Sequence, residues 1–411
     1  MIDREKMQVF ITANSPGELY GWAYPIIKEL KKRKEPSFIT LVLTPCQYAS
    51  GTEYEVVKSW SEVHQVVKPK EYIKYILFGR HSFDIKKNEP GVVVFAGGDP
   101  LHAVLLSQRL KLPAVAYLSR PRWKSRFKNF MVKNAEEKKK LENKINHHKI
   151  TIVGDLFLDS CRIRMQGRDS FGNLNFSQPA ILFLPGSRPV EINYMVPFYI
   201  KIIPLIKEKF PQIKFIMLIS PFVSEQSLLK ILKKEKTVQS YTVKNPAEWE
   251  VIISSCIKLT VVKKPIFELP VNFYLALTIP GTNNMELAYL GIPMIVILPL
   301  NKAELIPLDG ILGLISPRFP FFKLIKRKII FSYNKKIRFV ALPNIKAEKK
   351  IVPEIRGVIK PEDVAEKAVE LLKNPEKLKE ISLSLKNLTR EGGAASKIVN
   401  VIFDTVDSIK D

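Results

Sequence analysis

Apolar residues in this chain fall into two alternating patterns. Unbroken short runs, Met7 to Thr12, Phe38 to Leu43, Val92 to Ala96 and Ala114 to Leu118, predict strands buried on both faces. Between them, helical spacing predicts helices from the Gly17 turn to about Lys34, from Cys46-Gln47 to Val57 and from Leu101 to Leu110. Asn134 to His148 reads as a highly charged helix and Ile150 to Val153 as a short strand. The second half repeats the alternation. Strands are expected at Ala180 to Leu184, Ile213 to Ile219, Lys258 to Val262 and Met294 to Leu298, and helices at Ile192 to Phe210, Ser224 to Glu235 and Trp249 to Cys256. Strand and helix taking turns is the signature of a parallel α/β sheet. Polar Ser170 to Gln178, with Gly172, Asn173 and Asn175, reads as an interdomain linker. The expected division is therefore 1–175, 176–375, and a 376–411 segment whose helices pack back across both domains.

Two of these strands end in the same way. Ala180 to Leu184 runs into Pro185-Gly186-Ser187-Arg188, and Leu277-Thr278-Ile279 into Pro280-Gly281-Thr282-Asn283-Asn284-Met285-Glu286. Glycine lets a ligand approach the backbone, and a following helix N-terminus favours an anion. Arg188 offers a charged fork for phosphate, and Glu286, one turn into its helix, is placed for ribose hydroxyls. An ordinary tight turn with a solvated arginine accounts for either segment taken alone. In open α/β sheets ligands lie beyond the carboxyl ends of the strands, so two such turns suit one nucleotide.

In the first half, Asn14-Ser15-Pro16-Gly17-Glu18 follows the first strand. It reads either as a loop for a substrate hydroxyl or phosphate or as N-terminal capping. Gly97-Gly98-Asp99-Pro100 closes another strand, which places Asp99 for general-base work or as a helix cap. His102 reads as a surface residue. Arg120, Arg122, Lys124, Arg126 and Lys128, with Trp123 and Phe127 between them, suit nucleic acid, a lipid headgroup zone or a solvated basic helix. Leu305 to Phe331 mixes apolar, aromatic and basic residues, as a membrane-interfacial segment or a packing surface between subunits or domains would.

At 411 residues and 46% apolar content the chain has material for two or three domains. Its formal charge of +25 predicts an anionic partner, whether membrane, nucleic acid or phosphorylated substrate. Cys46, Cys161 and Cys256 lack any Cys-x-x-Cys spacing, which argues against a disulfide scaffold or structural zinc and fits a reducing cytoplasm. No signal peptide or spanning segment is read.

Leu184 to Arg188 with Glu191-Ile192, Gly281-Thr282 to Glu286 with Gly291-Ile292-Pro293-Met294, Leu342-Pro343-Asn344 with Ile351 to Glu354, and Gly392-Gly393-Ala394-Ala395 resemble the lipid-A-disaccharide synthase family in the same order. In the first half, Asn14 to Leu19 is similar to that family's first glycine loop, with Glu18 where an Asp is usual. Gly98-Asp99-Pro100 lies near its catalytic-Asp segment, and its aromatic run after the next strand is replaced by Arg120-Pro121-Arg122-Trp123. The resemblance implies a GT-B fold, two Rossmann-like doubly wound domains with a cleft between them. It also implies inverting, metal-free transfer of an acylated glucosamine from a UDP-sugar to a phosphorylated glycolipid acceptor, in a divergent branch. No cofactor is implied. Gly186, Ser187, Arg188, Gly281, Thr282, Asn283 and Glu286 would hold the nucleotide. Asn14 and Gly17 would form an acceptor-side loop, and Asp99, or failing it Glu18, would be the base. The setting implied is cytoplasmic, peripheral on the inner face of an anionic membrane, with no nucleic acid and with a homodimer as one possible assembly. UDP-N-acetylglucosamine 2-epimerase chemistry, another UDP-sugar transferase, or a non-enzymatic basic binding protein on a degenerate version of the fold remain alternatives.

Overall fold

The computed structural model describes residues 7–35, 37–46, 51–86, 89–165, 179–221, 223–245, 247–254, 257–269, 273–301, 320–390 and 392–408. It divides into two units, 1–166 with 391–411, and 167–390. All of the expected 170–178 linker and the 305–319 part of Leu305 to Phe331 lie outside the described residues; the 320–331 part falls within the helix Pro320–Lys336.

The first unit is built on a parallel sheet of β1 (Met7–Ala13), β2 (Ser37–Leu43), β3 (Gln65–Val67), β4 (Gly91–Phe95), β5 (Ala114–Tyr117), β6 (Asn129–Val132) and β7 (Ile150–Ile152), in the order β3-β2-β1-β4-β5-β6-β7. Its apolar runs are continuous because helices cover both faces. Phe10, Val93, Phe95 and Phe130 belong to one buried cluster with Tyr72 and Tyr75 from the helix Pro69–Phe78. The chain goes from β1 outward to β2 on one side and then returns to β4 on the other. The β1/β4 boundary is thus where the strand order reverses.

The second unit holds β8 (Ala180–Leu184), β9 (Lys214–Leu218), β10 (Val238–Asn245), β11 (Glu248–Ile253), β12 (Ile257–Val262), β13 (Leu275–Thr278), β14 (Met294–Pro299) and β15 (Glu354–Gly357), in the order β10-β11-β12-β9-β8-β13-β14-β15. The reversal here falls between β8 and β13, which pair in parallel with Leu184 opposite Thr278. Phe183 packs its ring 5.2 Å from Tyr199 and 6.2 Å from Phe215, tying β8 to β9 and to the helix Pro189–Lys209. Each unit is a doubly wound Rossmann-like sheet, and the two together make the GT-B fold.

Four sequence expectations are corrected. Trp249 to Cys256 is not a helix: Trp249, Val251 and Ile253 are fully buried while the residues between them are not, the period of two that places β11 in an antiparallel pair with β12. The helix expected from Cys46 begins at Glu53. The charged Asn134 to His148 helix stops at Glu142, and a short 3-10 turn follows at His147–Lys149. The basic segment after β5 is a loop running into β6, with Phe127 buried as its anchor.

The C-terminal helices separate. Pro375–Leu388 packs in the second unit, whereas Ala394–Asp407 packs in the first. Gly392 and Gly393 permit the latter docking. The buried Asp159 carboxylate accepts the N–H groups of Gly393 and Ala395, both at 2.6 Å, and a Cβ at Gly392 would lie 2.0 Å from Arg162. Arg33 adds bonds to Ser396 and Asn400.

Candidate active site

In the first unit, Ser15 caps the short helix Pro16–Glu18, which passes through a π-turn, Leu19–Ala23, into the helix Tyr24–Lys32. Gly17 sits inside that first turn without left-handed backbone, so it is not the special turn residue the sequence suggested. That role belongs to Gly98, whose φ of 86° and whose closeness to Asn14 and Thr44 exclude a side chain. Glu18 joins the two loops: one carboxylate oxygen accepts the Gly98 N–H at 3.0 Å and the other the Ser15 N–H at 3.3 Å. Burial is the largest influence and pushes its carboxyl above the usual range despite these bonds.

Of the two placements the sequence allowed Asp99, the helix cap is the one its geometry displays. Its Oδ1 caps the helix Pro100–Leu110 by accepting the Leu101 N–H at 2.9 Å, and its Oδ2 faces Arg122 Nη1 at 2.8 Å, 43% of its side chain being exposed. His102 is not a surface residue. It is half-buried, its Nδ1 lies 3.0 Å from the Tyr72 hydroxyl, and burial lowers its pKa against the opposing pull of Asp99. Asn14, Glu18 and Asp99 thus gather at the carboxyl ends of β1 and β4. Thr12 and Thr44, which carry no sequence motif, add buried hydroxyls without a hydrogen-bond partner among the described residues.

In the second unit, Gly186 has φ 98°, and a Cβ there would lie 2.3 Å from Glu191 Oε2 and 2.7 Å from Ile279 Cδ1. The two Pro-Gly turns are therefore in contact at neighbouring strand ends. Glu191 also changes the expected donor set. Its Oε2 accepts the N–H groups of both Ser187 and Arg188 at 3.0 Å, and its Oε1 faces Arg188 Nη1 at 3.4 Å. The amides expected to meet an anion on this turn are satisfied internally.

Gly281, by contrast, faces open space and has no left-handed backbone. Thr282 starts the helix Asn283–Leu290, its carbonyl accepting the Met285 N–H at 2.9 Å, and Glu286 is partly exposed one turn in. Among the described residues the Thr282 and Asn283 N–H groups have no acceptor, which leaves them to an anion. Asn284, next to Asn283, braces the turn from beneath: fully buried, it donates to the Ile279 carbonyl at 2.9 Å.

The remaining motif residues are structural. Asn344 accepts the Ile351 and Val352 N–H groups and donates to the Val352 carbonyl and to Glu354, which itself accepts from Val340 and Ala341. This network holds the helix Leu342–Ala347 against β15. Among the described residues no three His, Cys, Asp or Glu side chains cluster as metal ligands, and no helix is long and apolar enough to cross a membrane.

A family model described as Lipid-A-disaccharide synthetase matches residues 149–308, a span that contains both Pro-Gly turns. The lipid-A-disaccharide synthase of Sulfurihydrogenibium sp. (strain YO3AOP1) is 25% identical over 269 residues, 62% of this chain and 60% of that protein. That of Neisseria meningitidis (strain FAM18) is 24% identical over 201 residues, 49% of this chain and 42% of the relative. The matched stretches thus span less than two thirds of these curated relatives. Among solved structures, the UDP-GlcNAc 2-epimerase of Neisseria meningitidis bound to UDP-GlcNAc superposes with a TM-score of 0.57 at 14% identity, covering 97% of this chain and 100% of that one. The S. aureus MnaA-UDP co-structure gives 0.58 at 12% identity, covering 99% and 98%. These two likenesses establish the fold alone. Over the matched span, which carries the β8/β13 turns, the chain is similar to the lipid-A-disaccharide synthase family.

Proposed function

We propose that this chain is an inverting, UDP-sugar-dependent glycosyltransferase that moves an acylated glucosamine onto a phosphorylated lipid monosaccharide, working peripherally at an anionic membrane face. The observation that carries this reading is the contact between the Gly186 and Ile279 turns at the β8/β13 reversal, inside the span matched to the family. The UDP diphosphate would take the Thr282 and Asn283 N–H groups and the Arg188 guanidinium, with Ser187 beside it. Arg188 is 43% exposed and so reachable, and Glu286 would receive the ribose hydroxyls. These donors stabilise the departing diphosphate without a metal. Asp99 would take the proton of the attacking acceptor hydroxyl as the new C–O bond forms, and the electron pair of the broken anomeric bond would leave with UDP.

The net charge of +25 supports attraction to anionic lipid and to a phosphorylated acceptor. Incubation with UDP-diacylglucosamine and candidate lipid monosaccharide phosphates, read by mass spectrometry, should yield the disaccharide and UDP. Interconversion of UDP-N-acetylglucosamine without acceptor would replace this reading with the epimerase one. Absence of UDP binding by calorimetry would remove both.

A further inference from the structure

Beside Asp99, on the next strand end, stands a loop that the mechanism above leaves unused. β4 and β5 are parallel neighbours, and the residues after β5 expose Arg120, Arg122, Trp123, Lys124 and Arg126. Arg122 pairs with Asp99 Oδ2, whereas Arg120, Lys124 and Arg126 have no carboxylate partner among the described residues. Trp123 holds a left-handed φ of 55° with 44% of its surface exposed, an uncommon conformation for a bulky residue. Both members of the Arg122–Asp99 pair are largely exposed, so the pair is weak and readily exchanged.

We infer that this loop is the binding site for the acceptor's phosphomonoester, and that the phosphate displaces Asp99 from Arg122, freeing Oδ2 to receive the hydroxyl proton. The inference rests on the transferase reading and names how its acceptor is recognised. A dianionic phosphate offers the Arg122 fork more acceptor oxygens and more charge than one carboxylate oxygen, and the neighbouring cations add to its hold. Before it arrives both Asp99 oxygens are engaged, Oδ1 by Leu101 and Oδ2 by Arg122. With Arg122 turned to phosphate, Oδ1 still caps the helix and fixes the carboxylate while Oδ2 faces the acceptor. The proton passes to Oδ2 only when a phosphorylated acceptor is present.

Trp123 is a built-in reporter. Glucosamine 1-phosphate, used as the water-soluble probe, should change tryptophan emission saturably, and the change should vanish in Trp123→Phe. Arg122→Gln should weaken the response by about tenfold or more, and Arg122→Lys should keep part of it, since charge survives but the fork does not. Asp99→Asn should tighten phosphate binding, because the competing carboxylate is gone; a purely structural ion pair predicts no such gain. Inorganic phosphate producing the same saturable change would support phosphate as the recognised group. A response confined to phosphatidylglycerol vesicles, or an equal response to neutral glucosamine, would overturn the inference, as would an unaltered response in Arg122→Gln. UDP calorimetry on the same proteins keeps the two claims apart. Intact UDP binding with no response to glucosamine 1-phosphate sinks the loop assignment alone, whereas a response to the probe without UDP binding sinks the transferase reading.

Discussion

The two sheets solve one problem in opposite ways. In each, the strand order reverses beside the first strand, a left-handed glycine follows at the crevice, and a glutamate one helical turn in accepts two backbone N–H groups there. In the first unit Glu18 reaches across to Gly98 on the neighbouring loop, so the two loops are latched together by a partly buried carboxyl. In the second unit Glu191 stays on its own turn and the neighbouring Thr282 helix start is left open. The first crevice concentrates carboxylates suited to handling a proton, and the second presents N–H groups and Arg188 suited to a diphosphate. Similar folds thus expose different groups at their crevices through where one glutamate spends its hydrogen bonds.

The sharpest way to break this contrast is Asp99→Asn, which keeps the cap and shape but cannot accept the proton. Turnover should fall by about 10²–10⁴-fold while UDP affinity measured by calorimetry stays unchanged. Unchanged turnover would move the base to Glu18. Arg188→Ala tests the other crevice, where loss of diphosphate neutralisation should cost about 10²–10³-fold in turnover and weaken UDP binding as well. Near-normal activity would mean that the Thr282 helix start suffices.

Glycine substitutions probe the scaffold of both crevices with smaller effects. Gly186→Ala and Gly98→Ala each put a Cβ into left-handed backbone and within 2.5 Å of a polar side-chain atom, Glu191 Oε2 in one case and Asn14 Nδ2 in the other. Each should lose about 1–3 kcal/mol of stability, read as a lower Tm. Gly281→Ala, which meets nothing within 4 Å, serves as the mild control.

The strand, Pro-Gly turn and helix grammar was readable in the sequence because continuous apolar runs and glycine punctuation are local signals. The contact of the two turns was readable only as an expectation, since it follows from β8 and β13 being neighbours. What stayed hidden was the choice of hydrogen-bond partner. Nothing in Glu191 announces that it will take the Ser187 and Arg188 N–H groups from a prospective anion, and Glu18 meets Gly98 across 80 residues of chain. His102 read as surface because Tyr72, 30 residues earlier, lies on a helix that the apolar pattern did not resolve. β11 reads as a helix in the sequence because Ile252, apolar yet only half-buried, interrupts the alternation of apolar and polar residues.

The gentlest test concerns the latch itself. Burial raises the Glu18 carboxyl above its ordinary value, so the folded protein holds that proton more tightly than the unfolded chain does. The stability linked to it is therefore fully present below the unfolded pKa of roughly 4 and is lost as pH rises through the raised folded value. Glu18→Gln cannot titrate, and its amide nitrogen meets one of the two N–H donors, so it should lower Tm most in acid and progressively less toward neutral pH. Thermal melts of both proteins across that range should converge as pH increases. Curves that stay parallel would mean that Glu18 is ionised without penalty, and that its burial adds nothing to the bond between the two loops.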